Sequence, residues 1–184
     1  MIDIYIHIAG YLFLFAVLGW VVSLITKNVT HVDSMWSIFF VVGYITAMQE
    51  IQLLTYQNTA VFFLLLIWSA RLTAYLSFRN FGSQEDIRYQ EIRKKNEPNF
   101  KFKSLYIIFI FQAVLAMIIS MPLIAVAISS HSFGTLDIVG LGIIVFGILY
   151  ETVADYQLKQ FVKANQKGVL DKGLWRYSRH PNYF

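Results

Sequence analysis

The chain contains no cysteine, which excludes a disulfide framework, a thiolate metal site and a cysteine nucleophile. Charged residues are also scarce: they make up 14% of the 184 residues, whereas apolar residues make up 57%. So few charges leave too little polar surface to cover a water-soluble globule. The composition therefore predicts an integral membrane protein.

Several motifs of soluble enzymes are missing as well. No GxSxG sequence supplies a hydrolase nucleophile, and Ser178 has no identifiable base. Gly140, Gly142 and Gly147 do not form a GxGxxG loop, and they fall in an apolar run where close helix packing explains them better. No metal site is expected, because no ligand spacing relates the four histidines, which are His7, His31, His131 and His180.

Long apolar runs dominate what is present. A helix needs about 20 residues to cross about 30 Å of hydrocarbon. Five runs approach that length, and the second has the shortest unbroken apolar core. We therefore expect an all-α, polytopic membrane helix bundle that forms one domain over residues 1–184, with spans at about 4–26, 34–52, 59–78, 104–129 and 136–157.

The basic residues indicate the two sides of the membrane. Of the fifteen Lys and Arg residues, seven lie in the loop 79–103, six lie in the segment 158–184, Lys27 follows the first span and Arg71 lies inside the third. Alternating five helices puts the basic loops on one side, which the positive-inside rule makes cytoplasmic. The N-terminus is then outside and the C-terminus inside. Because topology explains the net charge of +4, no nucleic-acid partner is expected.

Arg71 lies near the middle of the third predicted span. A charged side chain there is costly and normally faces a polar interior or another charge. Trp68, Arg71 and Tyr75 follow one another at i, i+3 and i+7, so they share one helix face. This pattern places a cation flanked by aromatic rings on one face, which makes Arg71 a candidate functional residue and makes Trp68 and Arg71 candidates for lining a substrate cavity. A structural ion pair, or snorkelling towards the membrane surface, explains Arg71 equally well.

Carboxylates lie at two other span ends. Asp33 and Trp36 are three residues apart where the second span begins, which makes Asp33 a catalytic candidate and Trp36 a cavity candidate. A carboxylate that stabilises the helix N-terminus explains Asp33 equally well. Glu151, Asp155 and Lys159 recur every four residues as the fifth span ends, so they form one stripe of cofactor-binding candidates. A plain Asp155–Lys159 helix pair is the alternative.

The loop 79–103 mixes acidic, basic and aromatic residues, and Tyr89 is a further catalytic candidate among them. A segment of mixed charge is ordinarily solvated, and we expect this for most of the loop.

The closing stretch GLWRYSRHPNYF, residues 173–184, combines cations, aromatic rings and an amide. Pro181 suits the first turn of a helix, whose free N–H groups and dipole bind anions such as phosphate. Charge that only sets topology is the alternative, but it does not require this mixture, which suits a nucleotide. The cofactor-binding candidates here are Arg176, Tyr177, Arg179, His180, Asn182 and Tyr183, with Lys163 upstream.

Together these elements resemble a known superfamily. The stretches VDSMWS, WSARL, FRN, EDIRY, ETVADYQLKQF and GLWRYSRHPNYF are similar, in this order, to an uncharacterised bacterial-type branch of the steroid 5-alpha-reductase superfamily. The resemblance runs from about Asp33 to Phe184. The RHPNY element is also similar to that of sterol reductases, and a looser RHPxY occurs in isoprenylcysteine carboxyl methyltransferases and phospholipid methyltransferases.

The resemblance implies a membrane bundle that holds NADPH in its cytoplasmic half and admits a lipid enone to a buried cavity. Hydride goes to the β-carbon of the enone while an acid polarises the carbonyl. At matching positions, the resemblance implies that Asn182 and Asp155 contact the cofactor, and Glu151 stands at another cofactor-contacting position.

The resemblance leaves the proton donor open. Trp68 stands where the steroid enzymes place a tyrosine that polarises the carbonyl, so the resemblance makes Trp68, with Arg71 on the same helix face, a catalytic candidate. The candidates that can replace this tyrosine are Tyr75, Tyr89 and a carboxylic acid at Asp33.

The leading expectation is an NADPH-dependent reductase of a carbon–carbon double bond conjugated to a carbonyl in a steroid-like or isoprenoid lipid. It would lie in the plasma membrane of a bacterium or the endoplasmic reticulum of a eukaryote. An S-adenosylmethionine-dependent methyltransferase of lipids or prenylcysteine, and a non-catalytic membrane binding protein, are the alternatives. The basic cluster favours NADPH, because NADPH carries a pyrophosphate and a 2′-phosphate whereas S-adenosylmethionine carries no phosphate. The resembling family continues past this point with further helices, so the chain is expected to be C-terminally incomplete and inactive as it stands.

Overall fold

A computed structural model describes residues 2–52, 54–164 and 168–181 of the chain. Within these ranges the chain forms helices joined by turns, with no β-strand. The expected all-α fold is therefore confirmed. The chain divides into two compact units, Met1–Ser132 and Phe133–Phe184.

The helices are numbered in chain order. The first unit contains α1 (Ile2–Thr26), α2 (Val32–Ile51), α3 (Tyr56–Asn80), α4 (Ile87–Asn96), α5 (Phe100–Ile119) and α6 (Met121–Ala127). The segment Leu105–Ile110 within α5 is π-helical. The second unit contains α7 (Thr135–Lys163) and a short 3₁₀ helix, Gly173–Arg176.

Four of these helices are long and apolar enough to cross a membrane, namely α1, α3, α5 and α7. They correspond to four of the five spans expected from the sequence, and they identify a multi-pass membrane protein. The run expected as the second span is also a helix, α2, but α2 does not reach the same apolarity.

The packing around α2 explains its weaker apolarity. This helix contacts α1, α3, α5 and α6, and buried residues lie all around it, including Phe39, Tyr44 and Ala47. A helix surrounded by other helices does not need a continuous apolar surface towards lipid, and it can place polar side chains against its neighbours. α2 is therefore the central helix of the first unit.

A polar seam joins α2 to α3. The Ser37 hydroxyl lies 3.0 Å from Thr73 Oγ1 and accepts a hydrogen bond from Ser69 Oγ at 3.2 Å. Thr73 Oγ1 donates to the carbonyl oxygen of Ser34 at 3.0 Å. Hydroxyls inside a membrane bundle need such partners, because hydrocarbon supplies none. The seam therefore fixes the register of the α2–α3 hairpin.

A close approach of three helices occurs at Gly19 of α1. A Cβ atom added to Gly19 would overlap the Met35 side chain of α2 and lie 3.2 Å from the Phe109 ring of α5. The Gly19 carbonyl oxygen also lies 2.9 Å from Nε2 of His31 in the α1–α2 connection. A larger residue here would displace the flexible end of the Met35 side chain and crowd the Phe109 ring, so glycine favours this close approach.

Asn58, at the start of α3, holds three helices of the first unit together. Its backbone N–H donates to Thr55 Oγ1 while its own Oδ1 accepts from the Thr55 N–H, which is a reciprocal cap at the start of α3. The fully buried Asn58 side chain donates to the Ala127 carbonyl at 3.3 Å, and Tyr44 donates to the Asn58 carbonyl at 2.9 Å. One residue thus joins α2, α3 and α6.

The loop 79–103 is exposed over most of its length, as its mixed charge predicted, but several of its charges also make specific contacts. Arg93 donates two hydrogen bonds to Glu85, at 2.8 and 2.7 Å, and Glu85 also accepts from the Val29 N–H at 3.1 Å. The Arg93 guanidinium lies 4.3 Å from the centroid of the buried Phe100 ring. Burial alone raises the pKa of Glu85, but the hydrogen bonds from Arg93 and from the Val29 N–H together lower it by more. The pKa of Glu85 therefore lies below its ordinary value. The loop is thus solvated over most of its length, while these charges pair with each other and with the α1–α2 connection.

These contacts define what we call the basic end of the first unit, where Lys27 and the loop 79–103 lie together. The sequence-based alternation of spans predicted that these regions share one side, and the bond from Val29 to Glu85 brings them together. Elsewhere in the unit, Pro122 occupies the first turn of α6, which begins after a break at Ser120.

The α2–α3 seam can be tested with Ser37→Ala. The variant removes the hydroxyl that joins Ser69 to Thr73, and we expect it to reduce the free energy of unfolding by about 1 kcal/mol. The measurement is denaturant unfolding in detergent, followed by circular dichroism. Ser34→Ala is the matched control, because the Ser34 hydroxyl takes no part in the seam and its carbonyl is retained. Equal losses in the two variants would contradict the role given to the seam.

Candidate functional site

The candidate residues from the sequence fall into two groups, one in each unit. The first-unit group comprises Asp33, Trp36, Trp68, Arg71, Tyr75 and Tyr89. The second-unit group comprises Glu151, Asp155, Lys159, Lys163, Arg176, Tyr177, Arg179 and His180. Two further candidates, Asn182 and Tyr183, lie outside the described residues.

An aromatic row crosses the α2–α3 hairpin. The ring of Phe40 lies edge-to-face with Trp36 at 5.3 Å on its own helix, and with Trp68 of α3 at 5.8 Å. Phe40 is buried, whereas both tryptophans are half-buried. The two cavity candidates Trp36 and Trp68 are thus brought together through Phe40, a residue that the sequence did not single out.

Arg71 lies beside this row along the hairpin. Ser37 bonds both to the Ser69 carbonyl and to Thr73 Oγ1, so the α3 residue between them, Arg71, is level with Ser37. Trp36 precedes Ser37 on α2, so Arg71 and Trp36 lie at a similar height along the hairpin. Both side chains are half-buried.

Tyr75 has a different neighbour. Its ring lies 6.0 Å from the Arg79 guanidinium, one turn further towards the end of α3. A cation over a tyrosine face is a weak attraction at an exposed position. The phenol is half-buried and lies towards the basic end of the unit.

Asp33 and Tyr89, 56 residues apart in the sequence, form a direct contact. The Tyr89 hydroxyl donates to Asp33 Oδ1 at 2.5 Å, while Arg88 Nη2 donates to Asp33 Oδ2 at 3.1 Å. Both carboxylate oxygens are therefore occupied. Arg88 also donates to Asp86 at 3.0 Å through Nε, so it bridges two carboxylates. The start of α2 is held to the start of α4.

The environment of Tyr89 determines what its phenol can do. The side chain is 7% exposed, and burial, followed by the negative charge of Asp33, raises its pKa far above the ordinary 10.0. The phenol stays neutral and its proton points to Asp33. In this arrangement the tyrosine oxygen carries the proton and donates it in the hydrogen bond to Asp33.

The local sequence explains how the Asp33–Tyr89 pair is built. Asp86 caps α4 by accepting from the Arg88 N–H at 2.9 Å, which fixes the first turn of the helix. Arg88 and Tyr89 then leave that turn side by side. An aspartate before a helical run is a recognisable capping signal. It predicts the start of α4 and so places Arg88 and Tyr89 in the same first turn. The long-range partner Asp33 had no such signal.

In the second unit, α7 carries two buried carboxylates. Glu151 is 8% exposed and Asp155 is 4% exposed, while Lys159 and Lys163 are exposed. At 1.5 Å per residue the 29 residues of α7 extend about 43 Å, which exceeds the roughly 30 Å of a hydrocarbon core. The predicted stripe of Glu151, Asp155 and Lys159 therefore grades from buried to exposed along one helix.

The segment after α7 packs back onto it through a short 3₁₀ helix, Gly173–Arg176. The Trp175 indole N–H donates to the Ala154 carbonyl at 3.0 Å, and the Leu174 N–H donates to Gln157 Oε1 at 3.0 Å. Gly173 has a left-handed φ of 62°, and a Cβ added there would lie 2.6 Å from the Gln157 amide. Only glycine suits this position.

This docking leaves the basic and aromatic candidates of the segment accessible. Arg176, Tyr177, Arg179 and His180 are all exposed, whereas Pro181 is buried. The His180 N–H donates to Ser178 Oγ at 3.2 Å, which shapes the turn between the cations. Several exposed cations on a segment held by Trp175 are suited to binding a polyanion.

Comparison with known proteins gives a family and one relative. Residues 19–184 match the sequence model of a family described as "Protein of unknown function (DUF1295)". An uncharacterized protein of the fission yeast Schizosaccharomyces pombe is 29% identical over 203 aligned residues, covering 89% of this chain and 56% of the relative. The chain thus spans little more than half the length of the curated relative it matches. No solved structure matches the chain.

The docking of the segment can be tested with Gly173→Ala. The added methyl group meets the Gln157 side chain, and alanine disfavours the left-handed backbone. We expect faster tryptic cleavage after Arg176 and Arg179 in detergent, measured by mass spectrometry of the fragments. Gly140→Ala in α7 is the control, because a Cβ there meets nothing within 4 Å. Unchanged cleavage in Gly173→Ala would contradict the docking.

The burial of Tyr89 predicts an alkaline transition. Below the ordinary pKa of 10.0 the phenol is neutral in both folded and unfolded chains; above it only the unfolded form ionises. The free energy of unfolding should therefore fall as the pH rises above 10.0, and Tyr89→Phe should make this fall shallower. Denaturant unfolding at several alkaline pH values measures the slope. Tyr177→Phe, which changes an exposed phenol, should keep the wild-type slope; an unchanged slope in Tyr89→Phe would disprove the assignment.

Proposed function

We propose that this chain, which belongs to the DUF1295 family and so to a group related to steroid 5-alpha-reductase-like proteins, is part of a membrane-embedded, NADPH-dependent reductase. The reaction reduces a carbon–carbon double bond conjugated to a carbonyl. The substrate is a steroid-like or isoprenoid lipid, which reaches the protein through the membrane. The finer assignment to an RHPNY-bearing, bacterial-type branch is part of the same proposal.

One observation carries the proposal. The segment that Trp175 docks on α7 carries exposed cations and an exposed tyrosine ring, from Arg176 to His180. The helix that it docks on, α7, carries two buried carboxylates. Topogenic charge alone requires cations but not their attachment to a fixed backbone. A docked cluster of this kind suits a ligand with several negative charges and a flat ring.

The residues of the second unit fit NADPH by their chemistry. Arg176 and Arg179 match its phosphate groups, since guanidinium groups pair with phosphate through two parallel hydrogen bonds. Tyr177 offers a ring for stacking. The carboxylates of Glu151 and Asp155 accept hydrogen bonds, which suits the ribose hydroxyls or the carboxamide of the cofactor rather than its phosphates. Lys159, Lys163 and His180 add positive charge around the same segment.

When bound, NADPH supplies a hydride to the β-carbon of the conjugated double bond. The residues of the first unit act on the substrate. Trp36 and Trp68, which pack on the buried Phe40 between them, provide apolar aromatic surface for a flat lipid. Aromatic side chains commonly line the sites of such ligands. Arg71 lies level with this row and donates to the carbonyl oxygen.

Tyr75 and the Asp33–Tyr89 pair are the groups that hold a proton on the substrate side. Tyr89 is a weak acid because its pKa is raised and its hydrogen bond is directed to Asp33. It delivers a proton only if that bond is exchanged for one to the substrate. Tyr75 is the other phenol candidate, and its half-buried ring lies further along α3 from the aromatic row, beside Arg79.

Titration of the purified protein with NADPH and with S-adenosylmethionine by calorimetry tests the proposal. We expect saturable binding of NADPH, and Arg179→Ala should weaken it about tenfold or more, because a charged hydrogen bond to phosphate contributes about 1.5–3 kcal/mol. If Arg179 meets the 2′-phosphate, the loss is larger for NADPH than for NADH; equal losses place it on the pyrophosphate. Lys94→Ala, in α4 of the other unit, should bind both dinucleotides as the wild type does.

The opposite result separates the alternatives. Saturable binding of S-adenosylmethionine without NADPH would contradict the reductase and favour a methyltransferase. Binding of neither ligand would favour a non-catalytic membrane protein. Because the chain spans only part of its curated relative, turnover is assayed with the longest natural form of the protein.

A further inference from the structure

A pocket of about 490 Å³ opens at the basic end of the first unit, and the described residues that line it include none of the candidate residues above. It lies between the end of α1, the side of α4 and the start of α5. The Trp20 indole N–H of α1 donates to the Lys101 carbonyl of α5 at 2.8 Å and holds two of these walls together. The pocket therefore belongs to the packed part of the unit.

The charge of the pocket is positive. The described residues that line it include Lys27, Arg93 and Lys101 and no carboxylate. Arg93 is compensated by Glu85 behind it, but within the described part of the chain neither lysine ammonium pairs with a carboxylate. Both lysines line this pocket, and the Lys101 ammonium lies 4.9 Å from the centroid of the Phe102 ring. Cations that are not paired with a carboxylate attract an anion.

The pocket is shaped so that Arg93 and the backbone reinforce this charge. Arg93 is fixed by Glu85 and by the Phe100 ring, and its Nη2 donates to the Lys27 carbonyl at 3.4 Å. That bond occupies a carbonyl that would otherwise repel an anion. The 20-residue helix α5 begins at the pocket, and its N-terminal dipole adds positive potential.

The remaining walls are apolar. Leu24, Phe100 and Phe102 line the pocket, and Phe102 is 56% exposed. The pocket lies between the end of α1 and the start of α5, two helices long and apolar enough to cross a membrane. The positive-inside rule predicts that these helix ends lie at the charged boundary of the bilayer. Ile25 of α1, 76% exposed, continues the apolar surface beside it. A free phosphate ion gains nothing from such walls, whereas a lipid places its headgroup among the cations and its chains along the helices.

We propose that this pocket binds the phosphate headgroup of an anionic membrane phospholipid. Lys27 and Lys101 contact the phosphate, Arg93 provides a fixed positive wall, and the exposed apolar side chains of α1 and α5 contact the acyl chains. Basic pockets between membrane helices at the charged boundary are suited to such headgroups. The proposal does not depend on the cofactor or on the reaction proposed above.

The experiment measures thermal stabilisation of the purified protein in neutral detergent by short-chain lipids. The probes are dioctanoyl phosphatidylglycerol, dioctanoyl phosphatidylcholine and inorganic phosphate. We expect saturable stabilisation by phosphatidylglycerol and little by the other two. Lys27→Gln and Lys101→Gln should each weaken the apparent affinity about fivefold, and the double variant about 25-fold, as expected for roughly 1 kcal/mol per basic residue.

Controls separate this pocket from general surface charge. Lys94→Gln with Lys95→Gln removes two exposed cations of α4 that do not line the pocket, and this double variant should keep wild-type affinity. Lys101→Arg, which keeps the charge, should retain most of the affinity and also shows that changes at this position are compatible with folding. An equal loss in the α4 variant would overturn the proposal.

Two further outcomes would also overturn it. Inorganic phosphate as effective as phosphatidylglycerol would make the ligand a soluble anion. A loss of NADPH binding in Lys101→Gln would assign the pocket to the cofactor. Failure of NADPH to bind the wild type bears only on the proposed reductase, because lipid binding by the pocket is read independently.

Discussion

The hydrogen bonds between α2 and α3 are the interaction on which the rest of the first unit depends. Hydroxyl groups within a membrane bundle cannot turn to water, so Ser37, Ser69 and Thr73 must find one another. Their pairing fixes how far α2 and α3 slide along each other. That register puts the aromatic row on one part of the hairpin, sets Arg71 level with Trp36, and leaves Asp33 where α4 can reach it.

At the basic end, charges that topology requires are also used to build structure. The positive-inside rule needs only cations, yet Glu85 and Asp33 convert two of those cations, Arg93 and Arg88, into contacts between distant parts of the chain. Exposed ion pairs of this kind are individually weak. Here the two-bond geometry of Arg93, its position over Phe100 and the part-buried Glu85 make the contact specific.

The sequence predicted helix content and position well, because apolar length is a direct consequence of the hydrocarbon thickness. The sequence marked the run of α2 as the one with the shortest apolar core, but it did not explain why. Hydropathy does not tell a lipid-facing helix from one enclosed by other helices. The spacing of Trp68, Arg71 and Tyr75 was readable because a helix repeats locally. The partners Phe40 and the seam hydroxyls depend on which helices meet, and no local pattern states this.

The loop 79–103 shows the same limit more sharply. Its mixed charge predicted a mostly solvated segment, and most of the loop is exposed, but mixed charge carries no information about the distant partners of Glu85 and Arg88. The Asp86 cap was legible as a local signal, whereas the contact between Asp33 and Tyr89 was not. Gly173 is a similar case. Its left-handed backbone and its close approach to the Gln157 side chain appear only in the folded chain. The roles of the candidate residues in binding and catalysis stay predictions.

The bond between Asp33 and Tyr89 also has a consequence for the order in which the protein is made. A ribosome adds roughly 5–20 residues per second, so the 56 residues that separate the two partners imply a delay of roughly 3–11 s. Throughout that interval the carboxylate must be satisfied by water at the membrane boundary. The hairpin of α2 and α3 can therefore pair while it waits, but the basic end closes only after α4 has emerged.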